Sequence, residues 1–290
     1  MTPETDVPLS RLTTIGTGGP ARAFARPGTL AELEKALRFA AERDLPTRAV
    51  GLGSNLLAAD DGVDALVLRL GGSLAEARVA GDLVISGGGA TNAVCLHRAR
   101  DAGLGGLEFA CAIPGTAGGG VWMNAGAYGS DWATILVRAL VATADGTGWL
   151  TPQELGLSYR HSDLRAGQIV ARVEYRLEPR PRDEIARSVA ELVALRKSTQ
   201  PTNKRTFGSV FKNPAGEIGA GRLLESCDLK GFRVGGAMIS PKHANFIENA
   251  AAATSADCIA LMVEARRRAL EQHGVELEHE VVLLGDLSLP

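Results

Sequence analysis

Apolar residues along this chain recur at helical spacing in some stretches and gather into short strand-like runs between them. Thr29 and Glu32 stand as a capping box before Leu33, Leu37 and Ala40. This spacing predicts a helix to about Arg43, closed by Pro46. Further helices are expected over Thr91–Ala102 (Val94, Cys95 and Ala99 inward), Asp183–Lys197 and Thr254–His273. In the last, Ile259, Met262, Val263 and Leu270 should pack inward. Strands are expected at Ala21–Ala25, Thr47–Val50, Ala65–Leu70, Asp82–Ser86, Ile135–Ala144, Gln168–Glu178 and Val281–Leu284. The strand–helix–strand opening has α/β character, whereas the last third mixes brief apolar runs and loops as a compact α+β domain would. Pro179-Arg-Pro181-Arg-Asp is the expected break between the two.

One stretch fits neither period. Between Gly105 and Gly129, eight of twenty-five residues are glycine, yet Leu107, Phe109, Ile113, Val121, Trp122 and Met123 anchor it on both sides. Glycine inside a helix or strand costs roughly 0.5–1 kcal/mol relative to alanine, so neither element is favoured here. The stretch reads as main chain pressed against a large, flat or phosphorylated ligand; a glycine-rich surface loop is the alternative. Gly51-Leu-Gly53-Ser54-Asn55 follows a strand, but Leu56 occupies the place of the third glycine in a dinucleotide fingerprint. Its main-chain N–H groups could form a nest for a pyrophosphate, or the segment could be a plain tight turn.

Composition narrows the class. A net charge of −2 and the lack of any basic run leave no footprint for nucleic acid. Four scattered cysteines, with no metal-ligand spacing, point to a reduced compartment and no metal site. The start, MTPETDVPLS, has no export signal, and no apolar run approaches the roughly 18 residues of a membrane span. A cytoplasmic protein away from membranes is expected.

Five motifs in order carry a resemblance: Gly51-Leu-Gly-Ser-Asn, Ile113-Pro-Gly-Thr-Ala-Gly-Gly with Asn124-Ala-Gly-Ala-Tyr, Ser158-Tyr-Arg-His-Ser, Gly208-Ser-Val-Phe-Lys-Asn-Pro and Leu277-Glu-His-Glu. Together they resemble the UDP-N-acetylenolpyruvoylglucosamine reductases, flavoenzymes of peptidoglycan precursor synthesis, from about Leu12 to Gly285. The resemblance implies an α+β fold. An FAD-binding region of vanillyl-alcohol-oxidase type would occupy 1–182, in subdomains of about 1–72 and 73–182, followed by a substrate-binding domain at 183–290. It implies non-covalent FAD, NADPH as co-substrate and a monomer acting on the enolpyruvyl nucleotide-sugar. The short distance from Arg160 to Ser209 resembles the class without an inserted tyrosine loop.

Residue by residue, the resemblance implies that Gly51, Gly53, Ser54 and Asn55 hold the pyrophosphate. Pro114, Gly115, Thr116, Gly118 and Gly119 would embrace the flavin, with Tyr159 beside its ring. The family reaction adds hydride to the β-carbon of an enolpyruvyl ether, so negative charge spreads into the neighbouring carboxylate. That calls for charge stabilisation and for a proton at the α-carbon. Ser209 matches the family's proton donor, although by itself it reads as a turn serine after Gly208. Arg160 suits a carboxylate, with a surface ion pair as the plain alternative. Glu280 matches the catalytic glutamate, and the chemistry asks that it be protonated or neutralised by Arg160. Lys212 and Asn213 suit substrate phosphate and hydroxyl groups. His243 and Asn245 fall where the family places nucleotide-sugar contacts, His243 being equally readable as a capped loop residue. Ala112, Phe207, Pro241 and Val282 depart from the family pattern.

Overall fold

In the computed structural model, which describes residues 2–289, helices begin where side chains can cap them. Thr29 and Glu32 satisfy each other's main-chain N–H groups and open α1 (Leu30–Ala41). Thr91 caps α2 (Asn92–Asp101) and Thr116 caps α3 (Ala117–Trp122). Then come α4 (Arg182–Thr199), α5 (Ala220–Ser226) and α6 (Ser255–His273), the last opened by a Thr254/Asp257 capping box.

The presence of α3 corrects the expectation that the glycine-rich stretch is irregular. Gly118, Gly119 and Gly120 are helical because packing overrides propensity. A Cβ on Gly120 would lie 2.5 Å from the Trp132 ring, and one on Gly118 would lie 2.9 Å from the Gly88 carbonyl oxygen. Two inward faces also differ from expectation. On α6 the buried positions are Cys258, Leu261, Met262, Ala265 and Ala269, whereas Val263 and Leu270 are exposed. The buried stripe runs through Leu261, Met262 and the small Ala265 and Ala269, one face round from Val263 and Leu270. Val94 on α2 is likewise exposed, and Cys95 and Ala99 alone of the expected three are buried.

The chain divides into two compact units. One comprises the chain up to Thr5, with Ala23–Leu52 and Asp64–Leu195; the other comprises Asp6–Arg22, Gly53–Val63 and the chain from Arg196 onward. The change of unit falls within α4, and two short early segments group with the C-terminal part.

The first unit contains a five-stranded antiparallel sheet in the order Gly146–Leu150, Leu136–Thr143, Ile169–Arg176, Leu83–Gly87, Ala77–Ala80. Trp132, Phe109 and Tyr175 meet edge to face in its larger core, with ring centroids 5.1 and 6.2 Å apart. A second core packs Leu33, Leu37 and Ala40 of α1 on Leu66 and Leu68, where Thr47–Ala49 runs parallel to Leu66–Leu68. Cys95 lies in the larger core, where burial pushes its thiol up to about 11, so it supplies no thiolate.

In the second unit a four-stranded antiparallel sheet runs Thr206–Ser209, Phe246–Asn249, Ala237–Ile239, Arg233–Val234. Its core joins Ile239 and Ile247 to Leu223 and Leu224 of α5 and Leu261 and Met262 of α6. Phe207 is fully buried in that core. Leu56–Ala58 and Val282–Leu284 form a parallel pair that fixes the place of Glu280 relative to Asn55.

Candidate active site

In the first unit two loops touch. A Cβ added to Gly51 would lie 2.6 Å from Thr116 Oγ1, so only glycine allows the loop after Thr47–Ala49 to lie against the start of α3. The main-chain N–H groups of Gly51, Leu52, Gly115 and Thr116 meet no acceptor among the described residues. Pro114 is exposed beside them. At the other end of α3, about 9 Å away for six residues, the Ser162 hydroxyl donates to the Trp122 carbonyl at 2.6 Å. This bond ties down a tight turn in which Ser158 and His161 exchange main-chain bonds, both 3.1 Å, leaving Tyr159 and Arg160 at its tip.

Tyr159 is half exposed, and the Arg160 guanidinium lies 5.2 Å from its ring centroid and donates to the Gly126 carbonyl. Arg160 adopts φ +52°, and Asn124 and Tyr128 are also left-handed at +37° and +54°. Such conformations are uncommon outside glycine and persist where surrounding bonds enforce them.

In the second unit Gly53, Ser54 and Asn55 lie against the chain that carries Ser209 and Glu280. Gly53 (φ +67°) has no room for a Cβ, which would sit 2.0 Å from the Leu12 carbonyl oxygen. The Thr14 N–H donates to the Gly53 carbonyl at 3.0 Å, and the Thr14 hydroxyl to Thr206 O at 2.6 Å. Gly208 (φ +82°), just before Ser209, would place a Cβ 3.1 Å from Ser54 O. Asn55 Nδ2 donates to the Glu280 carbonyl at 3.1 Å, and the Glu280 N–H donates to Val210 O at 2.8 Å. Ser209, half buried, ends the strand opposite Phe246. Ser54 and Asn55 thus lie beside two of the three expected catalytic positions, Ser209 and Glu280.

The expected substrate contacts are partly reassigned. Asn245 is buried, and its amide holds the Phe211 main chain at both ends, Phe211 N–H to Oδ1 at 2.9 Å and Nδ2 to Phe211 O at 2.8 Å. A side chain closed on the backbone in this way stitches the loop after Ser209; it does not offer itself to a ligand. Asn213 Oδ1 accepts the first N–H of α5 at 3.0 Å, an end cap. Lys212 Nζ is 2.7 Å from the Glu278 carboxylate, clamping the chain after Ser209 to the segment leading to Glu280.

His243 packs edge-on against Phe246 and accepts the Asn245 N–H at Nδ1, 3.2 Å. Burial, helped by Lys230, holds its imidazole below the usual 6.5. The unfolded chain then takes up the proton first. The stability this group contributes is complete above pH 6.5 and is lost as pH falls through 6.5 toward the lowered folded value. Thermal midpoints should accordingly drop below pH 6.5, and less steeply in His243→Gln, as scanning calorimetry across that range will record.

The glycines of these loops divide when asked whether the chain's own packing accounts for them or a phosphate-bearing, planar cofactor would. Gly51, Gly53, Gly118 and Gly120 owe their identity to the chain's own close approaches. Gly119 does not: it is exposed, and a Cβ there would meet nothing nearer than Thr116 Oγ1 at 3.5 Å. An open cradle beside unpaired main-chain N–H donors suits a phosphate and a flat ring. Two residues escaped sequence reasoning. Thr14 bonds both the loop and the Ser209 strand, and Asn124 grips the Arg160 turn. Thr14 had no signal beyond lying in a loop start, and Asn124 stood in a quoted motif without a role.

The fold and these loops define an FAD-binding α+β protein with a second domain. Residues 21–149 match a family model described as an FAD binding domain. Residues 200–284 match the UDP-N-acetylenolpyruvoylglucosamine reductase C-terminal domain. UDP-N-acetylenolpyruvoylglucosamine reductase 2 of Symbiobacterium thermophilum is 45% identical over 96% of this chain and 91% of its own length. The Agathobacter rectalis reductase is 41% identical over 97% and 93%. The crystal structure of the Thermus caldophilus reductase, 39% identical, superposes with a TM-score of 0.85 over 98% of this chain and 99% of that one. The chain belongs to the UDP-N-acetylenolpyruvoylglucosamine reductase family. No helix among the described residues is long and apolar enough to cross a membrane.

Proposed function

We propose that this chain reduces UDP-N-acetylenolpyruvoylglucosamine to UDP-N-acetylmuramate, with NADPH as reductant and non-covalently bound FAD as carrier. The observation that carries this reading is the placement of Ser209 and Glu280 around Ser54-Asn55, in a chain 45% identical to a reductase of that name over nearly its whole length. The matched segments support an FAD-binding region in 1–182 and a substrate-binding domain in 183–290.

Bound FAD would supply the hydride chemistry between NADPH and the β-carbon of the alkene. The N–H groups of Gly51, Gly53, Asn55, Gly115 and Thr116 would hold its phosphates, and Gly119 would leave room for the ring. Arg160, with its planar guanidinium fork, holds the substrate carboxylate and stabilises the charge that develops there. Ser209 delivers its hydroxyl proton to the α-carbon, a transfer that a weak acid can make only to a strongly basic enediolate. Glu280 in its protonated form returns a proton to the alkoxide left on Ser209 and is itself reprotonated from solvent.

The test is a spectrum. The purified protein should absorb as a flavoprotein, release its colour on denaturation and bleach with NADPH. Its colour should return on adding the enolpyruvyl nucleotide-sugar and not on adding UDP-N-acetylglucosamine. Colour that stays with the denatured chain, or bleached protein indifferent to the enolpyruvyl compound, would overturn the assignment. Glu280→Gln distinguishes roles: full activity would remove Glu280 from proton transfer and leave it a hydrogen-bonding one.

A further inference from the structure

Arg160 stands on a two-residue tip in a left-handed conformation (φ +52°), and nothing intrinsic to arginine favours that geometry. What holds the tip is a buried amide. Asn124, 1% exposed, donates through Nδ2 to the Ser158 carbonyl at 2.9 Å and to Asp131 Oδ2 at 3.2 Å. Its Oδ1 accepts the Ala133 N–H at 2.9 Å. A carboxylate can only accept and an amide N–H can only donate, so Asp131 and Ala133 together fix which end of the amide faces Ser158. Two residues on, the Gly126 carbonyl receives the Arg160 guanidinium, and a Cβ on Gly126 would lie 2.6 Å from Ser130 O. The hairpin of Gly126–Ala127 and Ser130–Asp131 therefore meets the turn at both its base and its guanidinium.

A left-handed residue at 124 needs only asparagine or glycine. Three side-chain bonds to two separate segments are more than that backbone requires.

We infer that Asn124 is a positioning residue for the reaction: by gripping the Ser158 carbonyl it sets where the Arg160 guanidinium stands, and Asp131 orients it to do so. This rests on the reading that Arg160 holds the substrate carboxylate.

Two variants test it. Asn124→Gly keeps the left-handed backbone and removes all three bonds. The exchange Asn124→Asp with Asp131→Asn keeps one carboxylate and one amide, so the bond between them and the bond from Ala133 can re-form; only the link to Ser158 is lost. Both holoenzymes should retain flavin through gel filtration and bleach with NADPH at the wild-type rate. Substrate affinity, read from the perturbation of the flavin absorbance, and reoxidation by substrate should each weaken by roughly ten- to hundredfold, the loss expected of a misplaced charge. Added to Arg160→Ala, the exchange should cost nothing more, because both act through one group.

Wild-type substrate affinity and reoxidation in the folded exchange variant would overturn the inference, and so would a loss that adds to that of Arg160→Ala. Should Asn124→Gly lose flavin, the exchange variant still decides. Arg160→Ala separates the two layers. If it binds and reduces substrate normally, the role given to Arg160 fails; if it is impaired while the exchange variant is not, only the role of Asn124 fails.

Discussion

Ser209→Ala should leave NADPH able to bleach the flavin at its normal rate while slowing reoxidation by the enolpyruvyl substrate by about 10²–10⁴-fold, the usual contribution of a positioned general acid. The asymmetry follows from where the hydroxyl is needed. Hydride transfer from NADPH moves no proton to the substrate, whereas completing the lactyl ether requires one at the α-carbon. Ser209 ends a strand opposite Phe246, next to Gly208, whose φ of +82° aims the chain past Ser54. Removing one oxygen there opens no cavity in the core, because Ser209 is only half buried. Stopped-flow absorbance separates the two half-reactions. If both slow equally, Ser209 is structural and the proton comes from elsewhere.

The second large effect contrasts two glycines. Gly53→Ala should cost the protein its flavin and lower its thermal midpoint. An L-residue at φ +67° is strained by about 1–2 kcal/mol. The new Cβ also meets the Leu12 carbonyl oxygen at 2.0 Å, a main-chain atom that cannot swing aside, and overpacking of this kind adds about 1–3 kcal/mol. Gly119→Ala should do the opposite to the apoprotein. It lies within α3 with no atom nearer than 3.5 Å, so alanine should stabilise the helix by about 0.8–1.0 kcal/mol. Its methyl group would project into the cradle, and flavin affinity should fall. Thermal midpoints of apoprotein and titrations with FAD measure both. A Gly119→Ala variant with undiminished flavin affinity would place the cofactor on another side of α3.

Those two glycines show what a linear reading can and cannot see. Both were assigned to the cofactor, and in sequence nothing distinguishes them. In the folded chain Gly53 is required by Leu12, forty-one residues earlier, and Gly119 by no protein atom. The same holds for the polar residues after Ser209. Asn245, Asn213 and Lys212 have the chemistry of ligand contacts, but Phe211, Ala220 and Glu278 have prior claim on them. On α6, periodicity identified the helix and its cap, yet the buried stripe follows Ala265 and Ala269, which a scale of side-chain size undervalues.

By itself the order of residues determined α1, α2, α4 and α6, most of the longer strands, and five motifs specific enough to point to one family. These are short-range matters, set by propensity, capping and chemistry within a few residues. Tertiary structure alone decided which glycines serve the chain and which leave room, that Asn55 bonds the strand of Glu280, and that a buried amide at 124 steadies Arg160. These depend on partners up to 225 residues away, and hydrogen bonds and van der Waals contacts act only across a few ångströms. No local pattern could therefore carry them.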